Sequence, residues 1–230
     1  MNGMDVDSVE VVIGDQILLN NVSFHIEKGE VVALLGHNGA GKSTLLRTIM
    51  GMLDKKKGTI QVCGHDLDTS FIDYKKQIAY LPEEPMLLSE LTVYQHFQMY
   101  GLAYGISEET LTKRIETYVE GFELTGKLDK YPEELSKGMR QKVQGICAFL
   151  PDAPLLLIDE PFMGLDIYAI DYIEELMRQK ISEGVTIFIS SHQLERIRDL
   201  ADSFILLQKG EVIRQGPINE FDTIKRGSDT

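Results

Sequence analysis

The chain has 230 residues, enough for one sizeable domain with an inserted part. Its 43% hydrophobic and 26% charged content suits an ordinary buried core. The net charge of −13 excludes a general nucleic-acid binder, which needs a Lys/Arg surplus against phosphates. The cysteines Cys63 and Cys147 have neither metal-site nor CxxC spacing and read as reduced thiols. Residues 1–10 carry acids where a secretion signal has basic and apolar runs. No stretch approaches the roughly 20 apolar residues of a membrane span. The expected location is therefore cytoplasmic, with any membrane role exercised through a partner.

Short β segments are expected at 9–13 and 22–26, broken by Gly14-Asp15 and Lys28-Gly29. The run Val31-Val32-Ala33-Leu34-Leu35 reads as a strand buried in a parallel sheet, followed by a Gly-rich loop and a helix from about Ser43. Residues 92–150 read as helical. Within them, 107–121 has Ser107 as N-cap, Glu108 and Glu109 in the first turn, and Leu111, Ile115, Tyr118 and Phe122 on one face. After Pro154 the β/α alternation returns: strand Leu155–Asp159, a helix from Asp166 to Ile181 stopped by Gly184, and a strand at 185–190. A short helix and a hairpin at 203–207 and 211–215 complete the chain. The pattern is a parallel α/β core interrupted by a helical insertion.

The strongest local signal is Gly36-His37-Asn38-Gly39-Ala40-Gly41-Lys42-Ser43-Thr44, a G-x-x-x-x-G-K-[ST] phosphate loop between a strand and a helix. Glycines let backbone N–H groups turn inward around phosphate oxygens, and the helix N-terminus adds positive potential. Lys42 is placed to reach the β/γ-phosphates and the Ser43 hydroxyl to ligate Mg²⁺. His37 contributes only its backbone. The apolar strand ending in Asp159-Glu160 puts one carboxylate where it holds Mg²⁺ and the next where it orients or deprotonates water. Without the phosphate loop, the pair would read first as a turn cap.

Leu135-Ser136-Lys137-Gly138-Met139-Arg140-Gln141 precedes an amphipathic helix carrying Val143, Ile146 and Leu150. Ser136 alone would read as an N-cap. Placed between phosphate loop and acidic strand end, however, the segment resembles the signature of the ATP-binding cassette (ABC) ATPases, usually Leu-Ser-Gly-Gly-Gln. Met163-Gly164-Leu165-Asp166 looks like the D-loop of that family and His192 like its switch histidine. The stretches Ala103-Tyr104-Gly105-Ile106-Ser107, Cys147-Ala148-Phe149-Leu150 and Ile158–Asp166 are most similar to the Ecs-type bacterial ATPase subunits.

That resemblance covers nearly the whole chain. It implies a P-loop ABC ATPase domain: a RecA-like parallel core with a β subdomain (1–84 and 151–230) and a helical subdomain (85–150). It further implies two cassettes head to tail around two ATP, each ATP held by the phosphate loop of one copy and by Ser136 and Gly138 of the other. Glu160 and His192 become the catalytic residues. Asn38 through Thr44 hold ATP, and Ser43, Asp159 and Glu83 hold Mg²⁺. The expected partners are a second cassette and an integral-membrane permease meeting roughly Pro85–Tyr100, with Met86, Leu87, Leu88, Leu91, Phe97 and Met99 forming a groove or packing the local core. Ecs-type relatives suggest export, of peptides or similar cargo.

Three positions depart from the family pattern. Ile13 stands where an aromatic usually stacks on adenine, and reads equally as a core strand residue. Glu83 stands where Gln is commoner, with Glu84 a solvated neighbour. Lys137 and Met139 replace Gly and Gln in the signature; Lys137 either adds favourable charge at the composite site or, the reading slightly preferred, points to water. Soluble relatives that act on ribosomes or DNA carry two cassettes or a long coiled coil, which this chain lacks. A P-loop kinase or GTPase would leave residues 135–141 and His192 unexplained.

Overall fold

A computed structural model describes residues 2–221. The two faces of one strand organise the whole molecule. Strand β3 (Val31–Leu35) is apolar and buried throughout, as a central parallel strand requires. Val31, Ala33 and Leu35 face one core, and Val32 and Leu34 the other.

The first core lies against α3 (Val93–Ala103), α4 (Glu108–Gly121), α5 (Lys137–Phe149) and α6 (Ile167–Ser182). The second lies beneath a four-stranded antiparallel sheet and α1 (Lys42–Ile49). That sheet has the order β2-β1-β4-β5, from β1 (Asn2–Ile13), β2 (Gln16–Glu27), β4 (Lys57–Val62) and β5 (His65–Asp66). The inserted helices therefore share a continuous core with the main sheet.

The main sheet has the order β10-β9-β3-β8-β7-β6. Strands β6 (Ile78–Leu81), β7 (Leu155–Asp159), β8 (Thr186–Ser190), β3 and β9 (Ser203–Gln208) run parallel, and β10 (Glu211–Pro217) closes a hairpin. Helices α2 (Phe71–Lys76) and α7 (Leu194–Ile197) complete the fold.

Most expected boundaries agree with the structure. Ser107 caps α4 by accepting from Thr110 N–H, and Asp166 caps α6 by accepting from Ala169 N–H. The first two strands are longer than expected, because β1 and β2 pair along nearly their full length despite interrupted alternation. Strands β4 and β5 and helix α2 were not anticipated. Cross-strand pairing with β1 stabilises β4, which a Lys-rich start and a Gly disguise.

Candidate active site

The parallel register brings three strand ends together. Asp159 on β7 lies opposite Ser190 on β8, and Ser190 lies opposite Leu34 on β3. The loop after β3, the acids after β7 and His192 after β8 therefore share one crevice at the carboxyl edge of the sheet.

The loop 36–41 demands its glycines. A Cβ at Gly36 would lie 2.4 Å from the carbonyl oxygen of Leu207. Gly41 has φ 106° and caps α1 in a left-handed conformation, which lets the chain enter the helix directly at Lys42. The first-turn amides of α1, including those of Ser43 and Thr44, have no intrahelical acceptors and open towards the loop. Asn38 and Gly39 are exposed, whereas Ala40 is buried. The Lys42 side chain is buried and folds back, its Nζ donating to Gly36 O at 2.8 Å and lying 3.5 Å from His37 O. Burial pulls its ammonium pKa down, opposed by the charges of Glu160, Asp159 and Glu83. The His37 ring is exposed and turns to Asn38 O, so only its backbone shapes the loop.

Asp159 is buried and accepts a hydrogen bond from the Ser190 hydroxyl. Glu160 departs from strand geometry, with φ 50°, a left-handed conformation that costs a non-glycine residue about 1–2 kcal/mol. Its N–H donates to Ser190 O at 3.0 Å, and its Oε2 accepts from His192 N–H at 3.0 Å. The other oxygen, Oε1, is buried without a hydrogen bond. His192 Nε2 stands 3.2 Å away from it, near enough for charge but not aligned as a donor. A strained backbone thus holds a buried carboxylate with one uncommitted oxygen facing a half-exposed imidazole.

Every candidate metal donor here is an oxygen, which suits Mg²⁺. Among the described residues no three His, Cys, Asp or Glu side chains are grouped to cage an ion by themselves. This fits an ion that keeps water and phosphate oxygens and takes only one or two protein carboxylates. Glu83 is half-buried and near enough to act on Lys42, yet also lines a hollow of about 440 Å³ with Ile13, Arg47, Tyr80 and Met86. Ile13 is half-exposed at the end of β1, not a core residue.

The second motif stands apart. Ser136 caps α5, its Oγ accepting from Met139 N–H at 3.2 Å. A Cβ on Gly138 would come within 3.1 Å of Gly164 O, so the signature helix and the segment 163–166 are in close contact. Lys142 on α5 pairs with Asp166 at 2.8 Å. Among the described residues no hydrogen bond or ion pair links Ser136 or Gly138 to the phosphate loop. Lys137 does not simply point to water: its Nζ pairs with Glu84 at 2.9 Å across the surface.

Sequence reasoning did not single out Ser190, Lys142 or Gln144. Ser190 is only the last residue of a strand in the sequence, and its bond to Asp159 follows from register. Lys142 and Gln144, like Gln141, are buried polar residues on α5. Buried polar residues need partners, which is the signal available for them.

Residues 19–163 match the family model described as ABC transporter. The ATP-binding protein EcsA of an ABC-type transporter of Bacillus subtilis is 41% identical over 88% of this chain and 82% of its own length. The SkfA peptide export ATP-binding protein SkfE of the same organism is 32% identical over 89% of this chain and 84% of its own. A solved ATP-binding subunit of an ABC transporter superposes with TM-score 0.90, at 38% identity, covering 98% of this chain and 93% of that one. The dimeric ATP-binding cassette MJ0796, in a post-hydrolysis state with ADP and Pi, superposes with TM-score 0.82 at 25% identity, covering 94% and 98%. Part of the cbiONQ transporter complex of Clostridium perfringens, cbiO1, superposes with TM-score 0.78 at 26% identity, covering 98% and 92%.

Proposed function

The chain belongs to the ABC transporter ATP-binding family, and on that premise we propose that it hydrolyses ATP as half of a head-to-tail pair driving a separate permease. Its class is settled by kinship: an ATP-binding subunit with the fold of a dimeric ATPase cassette. The observation that carries the site assignment is the uncommitted buried oxygen of Glu160 beside His192, at the strand edge that also holds the phosphate loop.

In this reading the first-turn amides of α1 and the backbone of residues 38–44 cradle the phosphates. Lys42 exchanges the carbonyls of Gly36 and His37 for phosphate oxygens. Ser43, Asp159 and Glu83 are the residues that would hold Mg²⁺, which would supply positive charge against the phosphates. Ser190 fixes the rotamer of Asp159. Glu160 Oε1 accepts the proton of the attacking water, and His192 positions that water and the γ-phosphate. Ile13 covers one face of the base with an aliphatic surface, giving up ring stacking.

Ser136 and Gly138 act on the ATP of the second copy. A helix N-terminus with small residues approaches a γ-phosphate closely, and neither residue is tied to its own phosphate loop. No helix among the described residues is long and apolar enough to cross a membrane. The assignment to the inner membrane face therefore works through the permease. Met86, Leu88 and Met99 are exposed and suit its docking, whereas Phe97 is fully buried and Leu87 packs against the core. Peptide export is supported by the name of SkfE and belongs to this proposal.

Ser136→Arg tests the composite site. We expect unchanged ATP binding, measured by titration, and phosphate release reduced by at least ~100-fold, the scale of losing transition-state donors. Hydrolysis at the parent rate would refute the head-to-tail site.

A further inference from the structure

The segment that carries His192 has little regular structure of its own. Strand β8 ends at Ser190, and α7 (Leu194–Ile197) is a single turn of four residues. A helix that short is unstable alone, so packing must orient it. Local bonds shape its start: Gln193 N–H donates to Ser191 Oγ at 3.0 Å, and Arg196 N–H to Gln193 O at 3.0 Å. Ile197 is fully buried in the core shared with α6, which sets the depth of the turn. Apolar burial is non-directional, however, and does not fix how the turn faces the acidic end of β7.

Arg196 supplies that direction. Its guanidinium lies over the Phe162 ring, 5.8 Å from the centroid, and its Nη1 donates to Glu174 Oε1 at 2.8 Å. Phe162 is buried in the turn that follows Glu160, and Glu174 stands midway along α6. One side chain thus joins the flank of Glu160, the flank of His192 and a long helix. The Arg196 and Glu174 side chains are 32% and 20% exposed, so water and salt screen them less than the surface pair Lys113–Glu109, at 70% and 79%. A planar guanidinium can stack on a ring and hold a carboxylate together, which an ammonium does less well. The contact it flanks is the one between the reacting groups: His192 N–H on Glu160 Oε2 at 3.0 Å, and His192 Nε2 at 3.2 Å from Oε1.

We propose that Arg196 is a positioning residue for ATP hydrolysis: stacked on Phe162 and paired with Glu174, it holds the His192 imidazole at the uncommitted oxygen of Glu160. Without this pin the α7 turn is free to rotate about Ile197 and carry the imidazole away. A displacement of about 1 Å at a reacting group costs up to about 100-fold in rate. The inference rests on the assignment of Glu160 and His192 as the reacting groups.

Steady-state phosphate release and ATP titration on the full chain test it, with the thermal midpoint measured on the same samples. Arg196→Met keeps the aliphatic reach and removes the charged fork. Its kcat should fall about tenfold while KM and the ATP Kd stay within about twofold of the parent. Arg196→Lys restores the charge without the fork and should recover the rate to about threefold below the parent. In a His192→Ala background, Arg196→Met should cost no more than about a further twofold, because both changes disturb one group. A full additional tenfold loss would show that Arg196 does not act through His192. A purely structural pair would lower the midpoint and leave kcat per folded chain unchanged, and that result overturns the proposal. If Arg196→Met does not fold, Arg196→Lys and Glu174→Gln should each lower kcat about threefold at unchanged KM, and parent rates in both overturn it. His192→Ala by itself separates the two levels of the argument. Hydrolysis at the parent rate in that variant would remove the site assignment and the pin with it. A slow His192→Ala beside a parent-like Arg196→Met would remove the pin alone.

Discussion

Glu160→Gln separates catalysis from folding because the two respond with opposite sign. Glu160 Oε1 is buried without a hydrogen bond, which costs about 1–3 kcal/mol of folding free energy. A glutamine in the same rotamer keeps its oxygen on His192 N–H, 3.0 Å away, and puts its NH₂ where Oε1 was. That group stands 3.2 Å from His192 Nε2, off the line of the ring nitrogen, and being neutral it costs less to bury than a carboxylate. The variant should therefore gain about 1 kcal/mol, read as a rise of roughly 2–4 °C in thermal midpoint for a chain of this size. It loses the acceptor proposed to take the proton of the attacking water, and phosphate release should fall by about 10²–10⁴. ATP binding, assigned in our proposal to Lys42 and the loop, should persist, and the ATP-bound dimer should accumulate in light scattering. Two results would refute the reasoning: hydrolysis within about threefold of the parent, or lost activity with a lowered midpoint.

Gly36→Ala should destabilise the nucleotide-free chain by about 2–3 kcal/mol or more, since a Cβ would lie 2.4 Å from Leu207 O at φ 153°. Urea denaturation checks this, and an unchanged midpoint would contradict the close approach. Lys142→Met should change acid stability through Asp166, whose carboxyl the Lys142 bond, more than its bond from Ala169 N–H, holds below the usual range. A depressed carboxylate stabilises the fold above its unfolded pKa near 4, and that contribution is lost as pH falls through the lower folded value. The pair is part-exposed, so about 1 kcal/mol is expected at neutral pH, shrinking towards zero below pH ~3. A variant whose deficit does not shrink in acid would show that Lys142 acts by packing alone.

The phosphate loop, β7 with its acidic end and the Ser107- and Asp166-capped helices were legible in the sequence because their causes are local. A loop of glycines before a lysine, a five-residue apolar run and an N-cap each act over fewer than ten residues. Strand β4 and helix α2 were not legible, because pairing and packing with distant segments stabilise them more than their own composition does. Lys137 was read as a solvated lysine, since its partner Glu84 lies 53 positions away.

By itself, the sequence determined which groups are on offer and in what order: a glycine-rich loop before a lysine, two carboxylates at a strand end, a serine-capped helix and an imidazole. Only the tertiary structure decided which of those groups are committed. Parallel register placed Ser190 on Asp159, and a left-handed backbone turned Glu160 so that one oxygen is satisfied by His192 N–H and the other is not. Burial then made each choice matter, because a polar atom removed from water gains or loses free energy according to a partner supplied by another strand or helix.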